Sequence, residues 1–454
     1  MEPQPNLLFL MPDQMRWDAM SCVSGWVDTP NLDRIAAEGV RFHHAYTNSP
    51  VCIPARAALV TGRYAHQTGV WGNSSGMLSY SERTWMQSVR NAGYATSLFG
   101  KSHLHRHEGD LRDREHVMHE WGFDEVDEIG GPRAMTRVSC RLTDLWREAG
   151  VFEAYMEDME SRFADKPWVV RPSPLPLELY PDVYVARRAG EHLRAYDGDR
   201  PWMCWVGFSG PHEPWDTPHP YAGTVDPASM PPPLRAEQGA ADRPRGSLDR
   251  REQNDLDPDE VAALRADYAA QMKLIDDQVG ELLRVIEDRG ELDRTVIVLA
   301  SDHGEMNGDF DLLYKQNFLN PAARIPLVVR IPGGRSGWVC DDPIELMDVG
   351  ATLVELAGGE QLPTSQARSV ATRVLGGRKR GRKSALSEHA REVMVATREW
   401  KMAVNSWGAP YLLYDLESDP DELRNLAGLP EYAEQTSQMQ DMMLRRLVRS
   451  FSSP

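Results

Sequence analysis

The chain opens on an uninterrupted apolar run, Asn6-Leu7-Leu8-Phe9-Leu10-Met11, that stops at Pro12-Asp13-Gln14. A run this short, with no polar alternate positions, reads as a strand buried on both faces. The period then changes. Residues 31–38 carry apolar side chains at helical spacing, and Gly39 is placed to close that helix as its C-cap. Residues 40–45 return to a strand pattern. Pro54-Ala55-Arg56-Ala57-Ala58-Leu59-Val60 then opens a second helix, with proline near the first turn where its missing N–H costs little. Strand-like runs recur at 95–99, 202–208 and 296–300. Between the last two, 258–289 reads as an amphipathic helix through Met272, Ile275, Val279, Leu282, Leu283 and Ile286. Apolar strands separated by helices predict an α/β fold: a large, mostly parallel central sheet flanked by helices, with functional residues at the carboxyl ends of the strands.

Other stretches lack this rhythm. Residues 105–182 are rich in charge and tryptophan, and 221–257 are rich in proline, so both read as inserted loops. A polar Gly/Arg/Ser stretch follows at 359–384. Alternating runs at 393–396, 401–404 and 411–414, then an amphipathic terminal segment, predict a small α+β subdomain with an antiparallel sheet. The expected organisation is a catalytic unit over 1–358, a linker over 359–384 and a C-terminal subdomain over 385–454. There is no internal repeat and no glycine-rich phosphate loop.

A chain of 454 residues suits one large domain with a smaller partner. The formal net charge of −18 argues against a nucleic-acid binder, because phosphate backbones attract basic surfaces. It leaves room for an anionic substrate, since a bound cation and a few converging basic groups can reverse the field of one pocket. The basic run Arg378-Lys379-Arg380-Gly381-Arg382-Lys383 reads as a solvated loop. Five cysteines, Cys22, Cys52, Cys140, Cys204 and Cys340, are odd in number and scattered, unlike a disulfide scaffold. No stretch approaches the roughly 20 apolar residues of a membrane span, and the first apolar run is too short for a signal peptide. The expectation is a soluble cytoplasmic protein; its oligomeric state is left open.

Two strand ends carry acids, Asp13-Gln14 and Ser301-Asp302-His303-Gly304-Glu305. Oxygen-rich ligands from two strand ends can converge on one hard cation, while a single aspartate after a strand more often caps a turn. Cys52 stands at the mouth of the second helix, whose free N–H groups and dipole favour an anion, and Arg56 lies one turn later on the same face. From these residues alone Cys52 is a buried apolar cysteine, a thiolate nucleophile or a modified residue, and burial is the commonest fate of a free cysteine.

Cys52-Ile53-Pro54-Ala55-Arg56, continued by Thr61-Gly62-Arg63, resembles the C-x-P-x-R…TGR signature of type I, formylglycine-dependent sulfatases of the alkaline phosphatase-like superfamily. Further segments fall in the family's order: Thr29-Pro30-Asn31-Leu32-Asp33, Gly100-Lys101-Ser102-His103, Pro211-His212-Glu213-Pro214-Trp215, Ser301 to Glu305, Tyr314-Lys315, and Leu413-Tyr414-Asp415-Leu416 with Asp419-Pro420 and Asn425-Leu426. The resemblance implies hydrolysis of a sulfate ester, small-molecule or saccharide, after a formylglycine-generating enzyme has converted Cys52. One hydroxyl of the hydrated aldehyde then attacks sulfur, and loss of the other's proton expels sulfate.

The implied metal ligands are Asp13, Gln14, position 52, Asp302 and His303. Gln14 and His303 depart from the usual Asp-Asp and Asp-Asn pairs, as they do in choline-sulfatase-like and phosphonate monoester hydrolase-like relatives. Calcium is the first expectation, with manganese or magnesium close behind; the nitrogen ligand suits manganese or a similar transition ion better than calcium. The implied catalytic set is Cys52, Arg56, Lys101, His103, His212 and Lys315. Arg56 and Lys101 would hold the hydroxyls, Lys315 the sulfate, His212 the leaving group's proton, and His103 the proton whose loss releases sulfate. Asn73 and Trp215 are expected beside the substrate. His43, His44, His66, His105 and His107 are expected to be structural or solvent-facing, and the remaining tryptophans core. A phosphonate monoester or phosphodiester hydrolase on the same fold is the alternative reading.

Overall fold

Eight strands make the central sheet of the protein, which a computed structural model describes over residues 4–74, 76–164, 168–237, 256–378 and 381–451. They are β1 (Asn6–Met11), β2 (Val40–Phe42), β3 (Ala95–Gly100), β4 (Glu125–Glu128), β5 (Trp202–Gly207), β6 (Thr295–Ala300), β7 (Leu327–Arg330) and β8 (Trp338–Cys340). Their order is β8-β2-β7-β6-β1-β5-β3-β4, and β7 alone runs antiparallel to its neighbours. The helices that matter below are α1 (Pro30–Ala37), α2 (Cys52–Thr61), α3 (Pro132–Met135), α4 (Pro181–Ala195), α5 (Pro258–Asp288), α6 (Asp348–Leu356) and α7 (Ala433–Phe451).

Strand β1 shows why its run has no polar positions. Leu8 and Leu10 join Val185 and Ala189 of α4 and Met272, Ile275 and Val279 of α5 on one face. Leu7, Phe9 and Met11 join Ile53 and Leu59 of α2 and Val349 and Leu353 of α6 on the other. The strand period of two is present but hidden, because helices cover both faces.

Gly39 does not serve as the C-cap of α1, which closes on Glu38 in a right-handed conformation. It is needed for a close approach instead: a Cβ there would stand 2.7 Å from the Val329 carbonyl oxygen. The stretch 105–182 is not an irregular insertion. It supplies the edge strand β4, helix α3 and two further helices, Arg141–Glu148 and Phe152–Ala164, whose Trp146, Tyr155 and Met159 enter the core. Strand β4 reads Glu-Val-Asp-Glu, too short and too polar to stand out from sequence. Of the expected loop at 221–257, residues 238–255 lie outside the described residues.

Four antiparallel strands, β9 (Ala385–His389), β10 (Glu392–Ala396), β11 (Trp400–Val404) and β12 (Pro410–Asp415), form the C-terminal sheet in sequence order. Met439 and Met443 of α7 cover one face over Val395, Met402 and Leu413. Met394, Ala403 and Leu412 on the other face pack on Phe310 and Phe318. Among the described residues no helix is long and apolar enough to cross a membrane.

The expected linker at 359–384 is docked. Val370, Ala371 and Val374 are buried in the main core, and Arg382 is buried too, contrary to the solvated loop expected of its basic run. Its guanidinium grips both carboxylate oxygens of Asp348, at the start of α6, with Nε donating at 2.8 Å. Lys379 and Arg380 lie outside the described residues. Replacing Arg382 by alanine strands a buried carboxylate, so Arg382→Ala is expected to cost about 3–5 kcal/mol. Denaturant midpoints measure this, and an unchanged midpoint would mean that the segment is a detachable tether.

Candidate active site

Five adjacent strands, β4, β3, β5, β1 and β6, end at one edge of the sheet. The register pairs Gly100 with Gly207, Met11 with Gly207 and Leu10 with Leu299, so the residues that follow emerge side by side. Two of the turns that leave the strands hold non-glycine residues in the left-handed region, Gln14 (φ 66°) and His103 (φ 57°). Such conformations persist where the surroundings hold them, and they gather at functional sites.

At this edge Asp13, Cys52, Asp302 and His303, all buried, bring their ligand atoms within 4.8 Å of one another. Arg56 ties the two carboxylates together, donating from Nη2 to Asp13 Oδ2 (3.2 Å) and from Nε to Asp302 Oδ2 (2.9 Å). Its Nη1 reaches the carbonyls of Lys101 and Ser102. Lys101 Nζ also bonds Asp13. His303 bonds the Gly304 carbonyl through Nδ1 (3.0 Å), which turns Nε2 toward Cys52 Sγ at 3.1 Å. Burial works against a charged imidazole here, but Asp302 and Cys52 push His303 up to about 9. Two carboxylates and an imidazole with its far nitrogen tied to a carbonyl suit a divalent cation, which would balance the acids and displace the His303 proton.

Gln14 lies against this cluster, and its surroundings explain the missing carboxylate. Its amide nitrogen donates to Glu213 (3.0 Å) and to Glu305, its carbonyl oxygen accepts from Lys315, and its backbone N–H donates to Asp302 (3.1 Å). A third carboxylate here would face two others. Burial and Glu213 already push the Glu305 carboxyl above its usual range.

A cleft of about 300 Å³ opens over Cys52, lined also by Asn73, Lys101, His103, Arg133, Arg137, His212, Glu213, Tyr314 and Lys315. Burial pushes the Cys52 thiol up, yet Lys315, His303 and Lys101 hold it well below its usual range. Lys101 and Lys315 therefore bring positive charge to the floor of the cleft. His212 bonds the Glu213 carbonyl through Nδ1 (2.7 Å) and meets Lys315 Nζ through Nε2 (2.8 Å). Burial opposes the ionised Glu213 carboxyl, but His212, Lys315 and Arg133 hold it at about 2. Burial drives His103 down to about 3, against its hydrogen bond to Cys52, so its ring is neutral. It stacks on His107, with ring centres 4.7 Å apart. Behind them Glu128 accepts from His105 Nε2 (2.6 Å), His107 Nε2 (3.2 Å) and Ser102 Oγ. His105 and His107 are thus buried supports, and His66 pairs with Glu388 of the C-terminal sheet.

Two expected roles change. Arg56 is fully buried and does not line the cleft; it ties Asp13 and Asp302 together. Trp215 is no substrate wall: it is fully buried behind Tyr314, the rings stacked at 5.9 Å, and Tyr314 faces the cleft. Asn73 lines the mouth and accepts from the Ile53 N–H (3.0 Å), satisfying a free donor of α2. Sequence reasoning missed Arg133, Arg137, Tyr314 and Glu213. The turn signal Gly130-Gly131-Pro132 was the available hint for the two arginines.

Comparison with known proteins supplies the context for this geometry. Residues 5–359 match the model described as Sulfatase, and residues 308–449 match N-sulphoglucosamine sulphohydrolase, C-terminal. An arylsulfatase of Clostridium perfringens is 28% identical, covering 98% of this chain and 94% of its own. A choline-sulfatase of Rhizobium meliloti is 30% identical, covering 94% and 83%. The phosphonate monoester hydrolase of Agrobacterium radiobacter superposes with a TM-score of 0.83 at 25% identity, covering 98% and 96%. Matched over most of its length by the family model and along nearly all of it by sulfatases, the chain belongs to the sulfatase family and is a sulfuric ester hydrolase.

Proposed function

We propose that the protein hydrolyses a sulfate ester to sulfate and an alcohol or phenol, using a formylglycine hydrate made from Cys52 and one divalent cation. The observation that carries this reading is Cys52 Sγ at the helix mouth, 3.1 Å from His303 Nε2, in a cleft that Lys101 and Lys315 also line. When present, the aldehyde hydrate supplies a nucleophilic hydroxyl and the cation, held by Asp13, Gln14, Asp302 and His303, supplies a Lewis acid. Calcium is the first candidate, and the imidazole of His303 makes manganese the ion to compare.

The chain's own groups perform the rest. Arg56 keeps Asp13 and Asp302 in one orientation. Lys101 and Lys315 hold the sulfate oxygens, in the same field that depresses the Cys52 thiol. His212, tied to Glu213 through Nδ1, delivers the proton to the leaving oxygen through Nε2, which Lys315 Nζ faces as donor. Neutral His103 accepts a proton from position 52. Asn73 steadies the helix end beside the nucleophile, and a formylglycine-generating enzyme matures the chain.

Phosphonate monoester hydrolysis is the second reading, favoured by Gln14 and His303 and by the architectural likeness to a phosphonate monoester hydrolase. Rates on an aryl sulfate and an aryl phosphonate monoester in one preparation separate the two. A higher kcat/KM on the sulfate is expected, and the reverse would replace the first reading.

Cys52→Ala is expected to abolish turnover without unfolding the chain. Peptide masses around residue 52 are expected to fall by about 18 Da on maturation, with the hydrate close to unmodified cysteine. His212→Ala is expected to slow esters of poor leaving groups far more than activated aryl esters; equal losses would remove it from the acid role. For the metal, His303 in the unmodified chain must release its proton before it can ligate. Metal affinity, read by calorimetry, is therefore expected to fall about tenfold per pH unit as pH drops below about 9. His303→Asn is expected to flatten that slope, and a slope that survives would exclude His303 as a ligand.

A further inference from the structure

The cleft holds more fixed positive charge than one sulfate group uses. Lys101, Arg133, Arg137 and Lys315 line it, and Glu213 is its only carboxylate. The two lysines lie at the inner end, beside Asp13 and Gln14. The two arginines belong to the wall that follows β4. This wall lies against the site, for a Cβ at Gly131 would stand 2.9 Å from Lys101 Nζ.

Arg133 is held in one orientation. Its Nη2 lies 3.0 Å from Glu213 Oε1, and its guanidinium sits 4.3 Å over the Phe163 ring and 5.8 Å over the Tyr314 ring. Glu213 is shared, for it also meets Lys315 and His212. Arg137, four positions on, is exposed, and no acid among the described residues lies within ion-pair distance of it. One guanidinium packed against aromatic rings and a second with no acidic partner among the described residues, both on one wall of the cleft, make a receptor for an oxyanion.

We propose that this wall is a subsite for a second anionic group, so that the preferred sulfate ester carries a carboxylate or a further sulfate on its alcohol or phenol. The proposal rests on the sulfate-ester reading above. A cationic leaving group is disfavoured on the same grounds. Binding a quaternary ammonium calls for electron-rich aromatic faces, and Tyr314, the only Phe, Tyr or Trp ring lining the cleft among the described residues, already has Arg133 over it. Trp215, which could have supplied a second face, is shut behind Tyr314. The chain therefore parts from its choline-sulfatase relative in the alcohol it accepts.

The test compares 4-sulfooxybenzoate with 4-sulfooxybenzamide, two aryl sulfates that differ in one charge, on the matured, metal-loaded enzyme. The carboxylate ester is expected to have a kcat/KM about tenfold higher, mostly through KM. Arg137→Gln is expected to erase most of that ratio, and Arg137→Glu to invert it. The same ratio in wild type and both variants would overturn the proposal, as would a wild-type preference for the neutral ester. If neither ester turns over, the sulfate-ester reading fails separately. Calorimetric binding of the two esters to Cys52→Ala protein, with and without Arg137→Glu, then still decides the subsite: tighter binding of the carboxylate that Arg137→Glu removes supports it, and equal binding overturns it.

Discussion

Two carboxylates and one guanidinium, all withdrawn from solvent, meet where β1 and β6 end. Two buried carboxylates need positive partners, and Arg56, with one hydrogen bond to each, and Lys101, paired with Asp13, supply them. Arg56 can do so because α2 begins at Cys52, and four residues carry the chain one turn back toward the sheet edge. The same turn leaves Cys52 at the helix mouth. The position of Cys52 and the stability of the two buried acids are thus consequences of one helix start. A shift of α2 would strand two buried charges as well as misplace the sulfur.

The departures at Gln14 and His303 obey the same charge accounting. Glu213 and Glu305 stand within hydrogen-bonding reach of position 14, where an amide donates to both and a carboxylate would repel both. Glu213 in turn sets His212 and Lys315 on one side and Arg133 on the other. His303 presents a neutral-capable nitrogen where the commoner arrangement has an amide oxygen. The site keeps two carboxylates beside Cys52 and His303 and places Glu213 and Glu305 against Gln14, with Glu213 pairing the cleft's bases.

Much of the fold was legible because covered strands and long helices leave strong periodicity. Strand β1 shows the expected bounds, and the long helix ends within a residue of its predicted 258–289 range. The acids at the strand ends, Cys52, and the motif lysines and histidines were legible from motif order. What escaped was local and polar. Strand β4, Glu125 to Glu128, has no apolar run, and it carries the wall that bears Arg133 and Arg137. Arg382 looked like one more member of a basic run because only the fold brings Asp348 to it. Trp215 follows the histidine motif in sequence, but the stacking of Tyr314 over it decides which ring the substrate meets.

The net charge of −18 sharpens the role of the cleft's basic wall. At long range an anionic ester is repelled by the molecule as a whole, but ionic screening confines exposed charges to roughly 8 Å at physiological salt. Within that distance the cleft presents Lys101, Lys315 and the two arginines, with Glu213 already engaged by its neighbours. Recognition must therefore be short-ranged, made by hydrogen-bonding contact at the floor and at the wall. Diffusional steering can contribute little, and the burden of selectivity falls on the few groups that touch the ester. In a chain this acidic, an arginine at the mouth with no acidic partner among the described residues is a local exception whose cost is lowest when an anion occupies it.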